Sequence, residues 1–201
     1  MTGPGMQVEK SRLEKNRGIV FEYEENFAFR LASKVVDRPE LSIWMILMPI
    51  IFVFYFQKLK QFTDGRKQFV EKFLEERNMA LDVSIRAIES GHEPDIPSLV
   101  EKTGLPVDAA SPFGRWLEIL VEHYTDLLKA EGENFSDLVR HAYRTRSNYL
   151  IFLNRLNQSE KDLNAALTPH LEKIAANIFE AVSAIEKESE IMRRESAQII
   201  F

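Results

Sequence analysis

Apolar residues recur at helical spacing through most of this chain, and they gather into one continuous block near its start. From Leu41 to Phe56 the sequence reads LSIWMILMPIIFVFYF, sixteen residues without a charge, in which Ser42 is the single outright polar side chain. An amphipathic helix would place polar residues between apolar ones at i, i+3, i+4 and i+7, and a half-buried strand would alternate; the block does neither. A helix that is apolar on all sides needs core or lipid around it. Sixteen residues at ~1.5 Å rise span about 24 Å, short of the roughly 30 Å hydrocarbon layer that takes ~20 residues. Pro39 before the block and Leu59 after it supply the missing turns, so a transmembrane helix is expected over residues 39–60. Leu41, Trp44, Pro49, Phe52, Tyr55 and Phe56 form the span, with Trp44 and Tyr55 toward the two interfaces and Pro49 kinking the middle. Lys58 and Lys60 snorkel to the headgroups, joined by Arg66 and Lys67. Pro49 also suits a segment that dips into one leaflet and returns, and a third alternative makes 41–56 the buried central helix of a soluble bundle.

The flanking stretches are polar on average and helical in pattern. Before the block, Tyr23, Phe27, Leu31 and Val35 share one i, i+4 row with Ala28 and Ala32 beside it, while Glu25, Arg30 and Lys34 lie opposite. Such a helix either rests on the membrane surface or packs on the remaining domain. After the block, Thr63-Asp64-Gly65 marks a break, and Phe69, Phe73, Leu74, Leu81, Ile85 and Ile88 trace a helix that ends near Gly91. Four prolines and Gly104 between His92 and Pro112 predict a loop or short-helix connector. A helix is expected from Phe113 to Gly132 through Trp116, Leu117, Leu120, Tyr124, Leu127 and Leu128, and another from about Glu133 to Leu156. Thr168-Pro169 reads as N-cap and N1 of the last helix. There Leu171, Ile178, Ile185, Met192 and Ile199 repeat every seven residues, but the companion positions decay from Ile174 to Ala181, Glu188 and Glu195. One apolar seam is too narrow for a strong coiled coil, so the second half is expected to project or to self-associate weakly. No alternating β-branched run occurs, and the fold class is all-α: a single hydrophobic helix followed by a helical bundle.

Composition and charge sharpen the division. Met1 to Glu40 carries seven basic and seven acidic residues, and Gln57 to Phe201 carries nineteen and twenty-four, so the net charge of -5 belongs to the C-terminal part. That balance speaks against a nucleic-acid partner, although Arg140, Arg144, Arg146 and Arg155 are close together with Tyr143 and Tyr149 among them. Near the span, Arg30, Lys34 and Arg38 precede it, and Lys58, Lys60, Arg66, Lys67, Lys72 and Arg77 follow it. The excess of positive residues on the C-terminal side places that part in the cytoplasm. The expected organisation is therefore an N-terminal amphipathic segment (1–38), a kinked span (39–60) and a cytoplasmic helical domain (61–201), and a chain beginning near Thr63 should fold alone.

Candidate chemistry is sparse. With no cysteine there is no disulfide, thiol nucleophile, cysteine-ligated zinc or iron–sulfur cluster. A dinuclear metal bundle needs two Glu-x-x-His pairs, and the one instance, Glu89 to His92, runs off a helix end at Gly91. Glu118 and Glu122 share a helical face with His123 beside them, and Asp137 and His141 are four apart on the next helix, which makes these five the metal-ligand candidates. No nucleophile elbow or phosphate-binding glycine loop occurs, and no cofactor is expected.

At LSIWMILMPIIFVFYF, and again at FGRWLEILVEHYTDLLKAEG and NYLIFLNRLN, the chain resembles an uncharacterised bacterial family of small membrane-anchored helical proteins. The resemblance implies a bacterial inner membrane and transfers no activity. The expected function is thus a non-enzymatic, single-pass anchored bundle that meets protein partners, with the bilayer as its first partner. A metal- or ligand-binding bundle, and a wholly soluble all-α protein, are the rivals.

Overall fold

The computed structural model describes residues 4–35, 65–171 and 178–201. Among these the chain forms α1 (Pro4–Val35), α2 (Gly65–Ser90), α3 (Ile96–Thr103), α4 (Val107–Lys129), α5 (Phe135–Tyr143), α6 (Arg146–Leu171) and α7 (Ile178–Ile200), with no strand. The all-α expectation holds. No helix among the described residues is long and apolar enough to cross a membrane. Residues 36–64, and with them the expected span, Lys58 and Lys60, lie outside the described residues.

Local sequence explains the breaks. Gly91 ends α2 at φ 68°, a left-handed conformation that glycine adopts without Cβ strain. Asp95 caps α3 by accepting from Ser98 N at 3.1 Å, and Gly104 (φ 65°) closes that helix. The connector between His92 and Pro112 therefore holds a complete short helix, and α4 begins at Val107, six residues earlier than expected. Pro112 falls in its second turn, where the loss of one N–H frees a single carbonyl without ending the helix. The helix expected from Glu133 to Leu156 is two: Asn134 caps α5, and Arg144 at φ 66° separates it from α6. Thr168-Pro169 does not open the last helix. It sits inside α6, where the Thr168 hydroxyl donates to Asn164 O at 2.7 Å.

Helix α4 is the axle of the bundle, packing against α1, α2, α3, α5 and α6. Its Phe113, Trp116, Leu117, Leu120, Tyr124, Leu127 and Leu128 are all buried. Pairs along each interface fix the directions. Helices α1 and α2 are antiparallel, as Arg17 meets Asp82, Phe27 meets Phe73, and Leu31 and Val35 share a cluster with Phe69 and Val70. Helices α6 and α7 are antiparallel through Asn157–Arg193, Lys161–Glu190 and Asn164–Glu186. Helices α4 and α6 are antiparallel through Glu122–Arg155 and Asp108–His170.

Two expectations change here. Helix α1 is a member of the bundle and not a separate segment: it buries Leu13, Val20, Phe27, Leu31 and Val35, and Asn16 Nδ2 donates to the carbonyls of Leu127, Leu128 and Ala130 where α4 ends. Each fully buried Val, Leu or Phe is worth ~1.5–3 kcal/mol, so these five contribute on the order of 10 kcal/mol, comparable to a whole domain's stability. A chain beginning at Thr63 would lose them. The second half of α7 packs as well and does not project, because Ser189, Met192, Arg193, Ala197 and Ile200 form its buried face. Glu188 and Glu195, which narrow the heptad seam, pair at its edge with Lys34 and Arg30 of α1.

Candidate functional site

The interior of the bundle is crossed by a buried polar network to which α1, α2, α4, α6 and α7 each contribute. Glu160 of α6 is its hub. Its carboxylate accepts from Arg77 (2.8 Å) and twice from Arg193 (2.6 and 2.8 Å), joining α2, α6 and α7. Arg193 also donates to Asn157 Oδ1, and Arg77 Nε lies 4.0 Å from Glu24 of α1, whose other oxygen accepts from the Tyr124 hydroxyl at 2.8 Å. Aromatic faces complete the shell: the Arg77 guanidinium lies 4.8 Å from the Phe73 ring centre and 5.6 Å from that of Trp116, and Arg193 lies 5.6 Å from that of Phe27. The network borders a cavity of about 20 Å³ lined by Tyr23, Glu24, Arg77, His123, Tyr149 and Arg193 among others, room for one water-sized group.

Two arginines face two glutamates, so the centre is neutral overall and its charges are paired. Burial pushes Glu160 up, but Arg193 and Arg77, by charge and by hydrogen bonding, bring it down to about 2. Burial raises Tyr124, and the Glu24 carboxylate adds to the rise. His123 is lowered to about 3 by burial first, and then by the positive charges of Arg77 and Arg193. Its Nδ1 lies 2.7 Å from the Tyr143 hydroxyl, and its ring stacks on Phe152 with centres 4.1 Å apart. A neutral imidazole held this way is a poor proton carrier at pH 7. Next to the network, Glu76 is pushed up to about 8 by burial. The arrangement links five helices through paired charges. Removing one of its charged members strands a buried charge at a cost of about 3–5 kcal/mol.

The residues proposed from sequence as metal ligands do not come together. His123 turns inward to Phe152 and Tyr143, whereas Glu118 and Glu122 lie on the exposed side of the same helix, since one residue's step rotates a side chain by ~100°. Glu122 pairs with Arg155 at 3.0 Å. Asp137 is occupied at the start of α5, accepting from Asn134 Nδ2 and Glu133 N and pairing with Arg140, and His141 is half-buried on that helix. Among the described residues no group of three or more His, Cys, Asp or Glu side chains is arranged to hold a metal. The basic patch also disperses: Arg140 donates to Ile200 O at 2.6 Å, tying α5 to the end of α7, and Arg155 is engaged by Glu122. Arg66 and Lys67 are exposed in the first turn of α2.

The sequence pattern does not single out Asn157, Glu160 or Arg193 and counts Arg77 among the basic residues after the span, yet it carries a signal for Arg77 and Glu24. Arg77 interrupts the stripe Val70, Leu74, Leu81, Ser84, and Glu24 sits between Val20 and Phe27, so each places a charge on a face that must be buried. Comparison of the chain with protein-family models, with curated proteins and with solved structures finds no match.

Proposed function

We propose that this chain is a non-enzymatic, membrane-attached helical bundle that serves as a docking module for protein partners at the bacterial inner membrane. The observation that carries the reading is the position of the apolar block between two antiparallel helices. Val35 and Gly65 belong to the same end of one bundle, because Leu31 and Val35 pack with Phe69 and Val70. A chain entering the bilayer after Val35 has to come back to the same side before Gly65 for α1 and α2 to stay paired. The 29 residues between them are too few for two spans of ~20 residues each. A single crossing would put α1 and α2 on opposite sides. A re-entrant segment with Pro49 near its apex satisfies both constraints, and it replaces the single-pass topology as the favoured form of attachment.

Both flanks then lie on one side, and their basic residues act together. Arg77 is buried in the network and drops out of the count, but Arg30, Lys34, Arg38, Lys58, Lys60, Arg66, Lys67 and Lys72 all favour the cytoplasmic face. The outward side of α7, where Ile191 and Ile199 stay exposed, is available to a protein partner.

The absence of cysteine makes the test direct. Asp37→Cys and Thr63→Cys variants are probed with a membrane-impermeant maleimide in intact cells and in inside-out vesicles. Both positions should be blocked in cells and labelled in vesicles. Opposite labelling of the two would overturn the re-entrant topology, and recovery of the untagged protein in a detergent-free high-speed supernatant would overturn attachment itself.

A further inference from the structure

The same end of the bundle carries a second feature. Helix directions bring together there the end of α1, the start of α2, the start of α4 beside the end of α6 through Asp108–His170 (3.0 Å), and the N-terminal half of α7, whose eleventh residue Glu188 meets Lys34 (3.5 Å). Two large apolar side chains stand out from it: Val107, the first residue of α4, is 94% exposed, and Phe179, the second residue of α7, is 66% exposed. Single exposed apolar residues are ordinary on protein surfaces. These two sit at the tips of separate helices, at the end where the apolar block leaves and returns. Exposed Arg66 and Lys67 lie at that end too; of its carboxylates, Glu71 and Glu188 are met by Lys67 and Lys34 and Asp108 by His170, and Glu180 is exposed in the first turn of α7.

We propose that this end of the bundle is seated on the bilayer surface, with Val107 and Phe179 entering the headgroup–acyl boundary and Arg66 and Lys67 facing anionic headgroups. The inference rests on the membrane attachment proposed above and adds to it an orientation: the helices stand on the membrane by one end instead of hanging from a tether. Apolar side chains inserted to that depth gain the transfer energy that exposure in water denies them, and nearby Lys and Arg add attraction to anionic lipid. The bilayer is the occupant the position argues for, because the chain already delivers its oiliest residues to this end. Ile199, 78% exposed near the opposite end of α7, serves as the control.

The test uses the full chain with single cysteines, Val107→Cys, Phe179→Cys and Ile199→Cys, each carrying an environment-sensitive fluorophore. The protein is reconstituted with phosphatidylethanolamine–phosphatidylglycerol vesicles, and co-flotation is recorded in parallel. Positions 107 and 179 should show a blue shift, a several-fold rise in emission and protection from an aqueous quencher upon vesicle addition, with position 199 unchanged. Co-flotation with 107 and 179 remaining fully quenchable would overturn the end-on seat while leaving attachment intact. Failure to co-float would overturn both. Protection at 107 and 179 already complete before vesicles are added would mean that the chain covers them itself, which also overturns the proposal. In a Val107→Asp/Phe179→Asp variant, lipid partitioning should weaken about tenfold or more, given the transfer energy of two apolar side chains.

Discussion

Glu160→Gln isolates what the buried network contributes. The substitution keeps the shape of the side chain and removes its charge: one carbonyl oxygen can still accept, but an amide NH2 now faces the guanidinium groups, and Arg193 keeps the neutral Asn157 while Arg77 faces Glu24, 4.0 Å from its Nε. Both guanidinium groups are buried, and the cavity beside them has room for one water-sized group, too little to replace a counter-charge. Stranding a buried charge costs about 3–5 kcal/mol, a large share of the 5–15 kcal/mol that hold a domain together. For a chain of this length each kcal/mol moves Tm by about 2–4 °C, which predicts a fall of roughly 10 °C. Urea unfolding at pH 7 should show the lost stability as a lower midpoint with unchanged slope. A fourfold variant, Glu24→Gln, Arg77→Met, Glu160→Leu and Arg193→Met, removes the charges together and should recover most of the loss, because apolar replacement of a whole buried ion network is close to neutral. The pH dependence supplies a second check. Glu160 is held near 2 in the folded chain, so its contribution is present above the ordinary carboxylate value of 4.5 and is lost as pH falls from 4.5 toward 2. The Glu160→Gln variant should lack that decline. A cost below about 1 kcal/mol, or a fourfold variant as unstable as the single one, would refute the reasoning.

Replacing residues 38–62 with a short Gly-Ser linker should leave a folded bundle that no longer floats with vesicles; shortening the connection from 29 to about 8 residues even favours folding by roughly 1 kcal/mol through loop-closure entropy. Circular dichroism and co-flotation measure the two outcomes, and loss of helicity would instead place 41–56 in the core. His123 and Glu76 should show opposite pH signatures in thermal melts. His123 resists protonation when folded, so the wild type loses stability as pH falls from 6.5 toward 3, and His123→Phe should gain on it over that range. Glu76 retains its proton when folded, so the wild type loses stability as pH rises from 4.5 toward 8, and Glu76→Gln should gain on it there. Gly132→Ala should destabilise by about 1–3 kcal/mol in urea unfolding, since the added methyl would lie 2.5 Å from Asp137 Cβ and 3.0 Å from the Leu138 backbone nitrogen.

Periodicity revealed the helices because each α-helix buries a stripe, and Trp116, Leu120 and Tyr124 or Phe27 and Leu31 are buried as their spacing requires. It could not reveal where α6 ends, because proline reads as a start signal and Thr168-Pro169 is tolerated within a helix that tertiary contacts hold, among them Leu163 and Leu167 in the core. Nor could it show that α1 belongs with α2. That pairing joins residues 17 and 82, 24 and 77, and 27 and 73 across the apolar block, and a linear reading treats the block as a divider. The error had a physical source: a hydrophobic segment separates a chain in space only when its two ends face different neighbours. Here Glu24 and Arg77 lie on opposite sides of the block in sequence and meet in one buried network. Their charges, each set into an apolar stripe, signal that both flanks join a common polar network, since an unpaired buried Glu or Arg is unaffordable and each needs partners from other elements, here Tyr124 for Glu24 and Glu160 for Arg77. The residues on either side of the block, Glu24 and Arg77 about 50 positions apart among them, thus meet in one bundle whatever the block's own hydropathy.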